Sequence, residues 1–182
     1  MNPSALIRRL LLVFVLVMNT STMAQQPANN ANYRLGPSDT IQIQVFQEED
    51  LSLTAEIGNN GSIDYPLIGY IQLEGLTLAE AESKLDSKLR GDYLINPQIS
   101  ISIVEYRPFF ITGEVKSPGS YEYQPGMTIR QAIVIAGGLT DRASQRKVYL
   151  IREGDPAFKE NKVKLNEKIN AGDTITIKEG FF

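Results

Sequence analysis

Glu48, Glu49 and Asp50 come nearest, by type and adjacency, to a catalytic group in this chain. Paired carboxylates cleave glycosidic bonds when burial drives their pKa values apart, one acting as acid and the other as base or nucleophile. Three adjacent acids in a loop between apolar runs predict a solvated turn instead. Composition closes other routes: the 182 residues contain no His and no Cys. Ser-His-Asp and Cys-His nucleophiles are therefore absent, and so are His- or Cys-based zinc and iron sites. Gly113, Gly119, Gly126, Gly137 and Gly138 fall into neither the P-loop spacing nor a GxGxxG opening a helix, and are read as turns and caps. Tyr65, Tyr70, Tyr106, Tyr121 and Tyr123 have rings suited to stacking on sugars, but in a small β-rich fold they are read as packing groups. No catalytic, cofactor-binding or metal-binding residue is assigned, and no ligand-binding residue can be named.

The first residues are a targeting signal. Arg8-Arg9 precede the apolar run Leu10–Met18, and Thr22-Met23-Ala24 places small residues at positions −3 and −1 of a cut between Ala24 and Gln25. The run is too short to span a bilayer. Its high hydrophobicity and the lack of a cofactor motif point to Sec rather than twin-arginine export. Without Cys, the exported chain has no disulfides and no residue to carry a lipid, so it is expected not to be a lipoprotein. Removing residues 1–24 takes two Arg and no acid from 18 basic and 21 acidic residues, leaving a net charge of −5. That argues against a nucleic-acid partner, which would need a basic face, and disfavours a polyanionic glycan held by overall charge, while leaving a local basic patch open.

Residues 25–32 are a polar lead-in, expected to be disordered. Thr40–Phe46 alternates Ile41, Ile43 and Val45 with Gln42 and Gln44, a strand with one buried face. Gly58-Asn59-Asn60-Gly61 between Leu53–Ile57 and Ser62–Tyr65 predicts a hairpin, and Pro66–Gly69 with Tyr70–Leu73 a further extended pair. Thr77 with Glu80 is a capping box ahead of the helical stripe Leu78, Ala81, Leu85 and Leu89, and Gly91 stops the helix. Gln98–Glu105 closes a first module as a strand.

Tyr106-Arg107-Pro108 breaks that strand, and Phe109–Val115 begins almost at once, so two modules meet with no linker. The second module has the same ingredients. Short strands flank Pro118-Gly119, and Thr128 with Gln131 caps a helix carrying Ile129, Ala132, Ile133 and Ala136. Gly137-Gly138 ends that helix. Strands follow at Lys147–Arg152, Lys159–Leu165 and Thr174–Lys178. Gly36-Pro37-Ser38-Asp39 before TIQIQV is echoed by Gly172-Asp173 before TITIK, which is read as reused turn chemistry. The fold class is α+β, two small modules in tandem.

Tyr33–Asp39 with IQIQVF and Asp50-Leu51, Asn60-Gly61-Ser62-Ile63, Tyr65–Gly69, Gly75-Leu76-Thr77 and Asn96–Ile99 together resemble the bacterial capsule and exopolysaccharide export family. Ile111–Val115 with Pro118-Gly119, and Thr128 through Leu139, resemble the soluble-ligand-binding β-grasp (SLBB) domain that follows in that family. The resemblance implies a signal peptide (1–24), the lead-in (25–32), a polysaccharide export N-terminal domain (33–107) and one SLBB β-grasp domain (108–182). It further implies a non-enzymatic periplasmic component that forms or joins a homo-oligomeric ring conducting polysaccharide. An inner-membrane polysaccharide co-polymerase and a separate outer-membrane barrel would be its partners. The chain departs from the best-known members in three ways: Ser38 stands where Gly is usual in the turn, no lipid-bearing Cys follows the signal, and the sequence stops soon after the second module. It is therefore read as a short periplasmic form. Two other readings are a monomeric glycan- or small-ligand-binding module with a β-grasp pocket and, weakest, a carbohydrate-active enzyme.

Overall fold

In the computed structural model, which describes residues 32–180, the alternation of Thr40–Val45 (β1) is realised as a strand: Ile41, Ile43 and Val45 are buried while Gln42 and Gln44 face out. The proposed cut between Ala24 and Gln25, the lead-in up to residue 31, and Phe181-Phe182 lie outside the described residues. β1 is the middle of a three-stranded antiparallel sheet, between Leu53–Glu56 (β2) and Ile99–Glu105 (β5). Ile43 sits opposite both Leu53 and Ile101, so the apolar faces coincide; a one-residue slip would turn every one of them to water. Helix α1, Leu78–Leu89, buries Ala81, Leu85 and Leu89 in the core beneath this sheet. Its capping box forms as the spacing predicts, with Thr77 N–H donating to Glu80 at 2.8 Å and Glu80 N–H to Thr77 Oγ1 at 3.3 Å. From α1, Glu82 accepts the N–H of Ile101 at 2.8 Å, partnering a group on the free edge of β5.

The Gly58–Gly61 turn forms, but it does not join a hairpin. β2 pairs with β1, whereas Ser62–Tyr65 (β3) pairs with Gly69–Gln72 (β4) in a separate two-stranded sheet. The hairpin therefore lies one turn later than expected, across Pro66-Leu67-Ile68, with Leu67 at φ 69°. A turn dictates that the chain reverses, not which neighbour the next strand takes. Here β1 offers β2 an apolar face in register, and the Gly61 carbonyl is taken by the N–H groups of Leu73 and Glu74.

The second module is one five-stranded sheet. Its strands are Phe109–Gly113 (β6), Gly119–Tyr121 (β7), Ala143–Ile151 (β8), Asn161–Lys162 (β9) and Thr174–Glu179 (β10), in the order β7-β6-β10-β8-β9. The last strand enters the middle, parallel to β6 and antiparallel to β8, with helix α2 (Ile129–Ile135) packed on one face, a β-grasp arrangement. Thr128 and Gln131 cap α2, and Ile129, Ala132, Ile133 and Ala136 are buried with Phe109, Ile111, Val148, Leu150 and Ile175. β8 is longer than Lys147–Arg152, while the expected strand Lys159–Leu165 pairs only over two residues. An edge strand pairs on one side only, and here β9 meets β8 solely at Tyr149 and Leu150.

Candidate functional site

Each module begins a strand with the same turn, and each turn buries a carboxylate. Asp39 is fully buried and Asp173 is 1% exposed. Asp39 Oδ2 accepts the N–H of Gly36 at 2.8 Å, and Asp173 Oδ2 that of Asn170 at 2.8 Å, three residues back in both cases. The backbone bond runs the opposite way in both, Asp39 N–H to Gly36 O at 3.2 Å and Asp173 N–H to Asn170 O at 3.3 Å. The echo between the two stretches is thus repeated turn chemistry in atomic detail. Just before each Asp the backbone is left-handed: Ser38 has φ 67° and Gly172 φ 80°. Ser pays a steric penalty there that Gly does not. Ser38→Gly is expected to stabilise the protein by about 0.5–1 kcal/mol net, the relieved strain less the added freedom of the unfolded chain. Urea denaturation reads this as a raised midpoint at unchanged slope; a lowered midpoint would show the strain to be negligible.

A buried carboxylate requires a partner, and each has an arginine. Arg152 Nη1 binds Asp173 Oδ2 at 2.6 Å, within the second module. Asp39 is bound across the join by Arg107, through its backbone N–H at 2.8 Å and Nη1 at 2.7 Å. The same guanidinium reaches Glu153 of the second module, with Nε and Nη2 both 2.5 Å from Oε2. Arg107 therefore holds one acid from each module, with only 14% of its side chain exposed. Burial opposes its charge, but Asp39, with Glu153 and Tyr33, outweighs this and raises its pKa, so the guanidinium stays cationic. Gly36 makes room for it: a Cβ there would lie 2.7 Å from Arg107 Nη1.

Aromatic rings continue the joint. Tyr33 donates its hydroxyl to Asp39 at 2.7 Å, and burial, reinforced by that carboxylate, raises the phenol's pKa and keeps the donor protonated. Its ring meets Tyr106 edge-on at 5.0 Å, and Tyr106 meets Tyr123 edge-on at 5.5 Å. Tyr33 packs against both hydrophobic cores. Pro108 C=O then accepts the N–H of Gly172 at 3.0 Å and Phe110 N–H donates to Asp173 C=O at 2.9 Å, tying the chain beyond Arg107 to the second turn. The Tyr106-Arg107-Pro108 break is the point where both modules are fastened.

Glu48, Glu49 and Asp50 lie on an exposed loop whose Glu49–Leu51 part is one 3-10 turn, without the burial that acid–base pairing demands. Tyr65 is buried and donates to Leu51 O at 2.6 Å, with its pKa pushed up to about 12 by burial. Tyr121 stacks on Phe109 at 5.9 Å, while Tyr70 is 78% exposed and is the exception to packing. Among the described residues no group of three or more Asp and Glu could hold a metal ion. A broad concavity of about 840 Å³ lies over the outer face of the first sheet, its lining including Gln42, Gln44, Thr54, Ser100 and the Glu49 of the acidic loop. Its amides and hydroxyls can exchange hydrogen bonds with sugar hydroxyls, and the one acid in its lining, Glu49, is exposed and lacks the burial that acid–base chemistry demands. The Arg107 cluster is what residue-by-residue reading missed. Its available signal was an Asp at the same place in two matched turns, with an Arg at the strand break between them.

Residues 27–104 match the family model described as polysaccharide biosynthesis/export protein, and residues 108–159 match the SLBB domain, in that order. The chain belongs to the polysaccharide export protein family. Among curated relatives, the exopolysaccharide production protein ExoF of Rhizobium meliloti (strain 1021) is 28% identical over 143 residues, which is 72% of this chain and 33% of that protein. The polysialic acid transport protein KpsD of Escherichia coli is 22% identical over 128 residues, 69% of this chain and 23% of that protein. This export-family chain thus spans a third or less of the length of the relatives it matches. The boundary between the two matched regions, residues 105–107, coincides with the Arg107 joint. Among the described residues no helix is long and apolar enough to cross a membrane.

Proposed function

We propose that this protein is a non-enzymatic periplasmic component of a capsule or exopolysaccharide export machine. It forms or joins a ring-shaped conduit through which the polymer passes to the cell surface. The observation that carries this reading is the ordered pair of matches, export module then SLBB module, meeting at the Arg107 joint. Relatives named for exopolysaccharide production and polysialic acid transport support the same cargo class. In this reading residues 1–24 direct Sec export and are cut between Ala24 and Gln25. Residues 33–107 form the export domain and 108–182 the SLBB domain, and the mature chain carries no lipid. Synthesis or the inner-membrane co-polymerase drives the polymer, and a separate outer-membrane barrel completes the path.

A ring built from head-to-tail contacts closes only if every subunit presents its two surfaces at the same angle. The buried Arg107 joint supports this requirement, because it fixes one module on the other through charge, aromatic and backbone contacts together. Native mass spectrometry of the mature chain, alone and with its co-polymerase and barrel partners, tests the assembly. The expected result is a closed homo-oligomer of one size in at least the partnered sample. A strict monomer in both samples that binds one short glycan would replace the ring with the monomeric binding module.

A further inference from the structure

Arg130, Arg146, Lys162 and Lys164 line a single groove of about 470 Å³ on the second module. They come from the start of α2, from β8, and from β9 and the residues just after it. Two backbone bonds hold these elements together, Arg130 N–H to Leu165 O at 2.8 Å and Val163 N–H to Val148 O at 3.0 Å. All four cations are exposed, and no carboxylate lines the groove. Among the described residues Arg146, Lys162 and Lys164 have no ion-pair partner, and Arg130 makes only a side-chain bond to Asn166 Oδ1 at 3.4 Å.

Four acids near these cations in sequence are committed elsewhere. Glu153 holds Arg107, Glu167 holds Arg152, Glu160 holds Lys178, and Asp155 accepts the N–H groups of Ala157 and Lys159. The chain as a whole carries a net charge of −3, so the groove is a local reversal of sign. Concave cationic surfaces raise the local concentration of anions. The volume falls within the range of about 300–1,000 Å³ typical of small-ligand clefts, suited to a short run of sugar units. Gln145 and Asn166 add amides for sugar hydroxyls, while Val163 and Leu165 supply apolar surface for the C–H faces of the rings.

We infer that this groove binds an acidic glycan segment, so that the polymer handled by this protein carries carboxylates. The inference rests on the export reading above and adds the substrate class. Charge reversal in the triple variant Arg146→Glu, Lys162→Glu, Lys164→Glu tests it in the purified protein by calorimetric titration. The probes are an oligogalacturonate and a neutral malto-oligosaccharide of equal length. The oligogalacturonate is expected to bind the wild type, to weaken when salt rises from about 50 to about 500 mM, and to bind the variant at least about tenfold more weakly. The neutral probe should show no difference between the two proteins. The triple Gln variant, with the same loss expected, guards against misfolding caused by the added acids. Undetectable oligogalacturonate binding, equal binding by the variants, or a variant that only breaks up an oligomer, as if the groove seated an acidic turn of a second copy, would each overturn the proposal. Export itself is read from surface polymer in cells, so a failed titration leaves that reading standing and faults the groove alone.

Discussion

Arg107→Ala is expected to destabilise the protein by about 3–5 kcal/mol, because it removes the cation from a carboxylate that stays fully buried. In a domain of this length each kcal/mol lowers Tm by about 2–4 °C, so the melt should move down by roughly 6–20 °C. Most of the loss comes from stranding Asp39, not from forfeiting the pair. Removing both partners, Arg107→Ala with Asp39→Ala, should therefore cost less than the sum of the two single changes. The expected coupling in the double-mutant cycle is about 1–3 kcal/mol. Arg107→Lys should recover only part of the loss, since a single ammonium cannot reach Asp39 and Glu153 in the forked geometry of the guanidinium. Glu153→Ala is expected to cost about 1 kcal/mol or less, its side chain being 37% exposed and its pairing screened. Additive single and double effects would show that Asp39 and Arg107 are not coupled.

A short Gly-Ser linker inserted after Arg107 should abolish export while sparing the folds of the two modules. Each module has its own core, and the insertion falls between Arg107, held to Asp39, and Pro108, held to Gly172. A flexible insert leaves those anchors in place but removes the covalent restraint between them, so that side-chain contacts such as the Arg107–Glu153 pair and the Tyr106–Tyr123 contact are left to oppose movement of one module on the other. Circular dichroism should show unchanged secondary structure while surface polymer is lost. Retained export at the wild-type level would show that a stiff joint is not needed.

The parts of the fold that could be read from the chain are those decided within a few residues. Thr77 with Glu80 and Thr128 with Gln131 cap their helices as the spacing predicts, and both apolar stripes turn inward. β1 and β5 show their alternation because one face of their sheet is buried and the other is wet. What could not be read depends on distant partners. The strand after Ser52 pairs with β1 rather than across Gly58–Gly61, and residues 159–165 form two ladder pairs because a sheet edge sets their length. The joint is the clearest case. Asp39 and Arg107 are 68 residues apart, and Arg107 and Glu153 a further 46, so no local pattern links them. Only the repeated Asp turn hinted at it. The four cations of the groove are likewise scattered over α2, β8, β9 and the residues just after it, and in the sequence they dissolve into an acidic average.

The most direct test of the central claim is the amount of polysaccharide on the surface of cells lacking this protein, measured together with its intracellular precursors. The account predicts that surface polymer disappears while lipid-linked precursors still form, and that the wild-type chain restores it. Normal surface polysaccharide in the deletion strain, with no paralogue to substitute, would contradict a role in export.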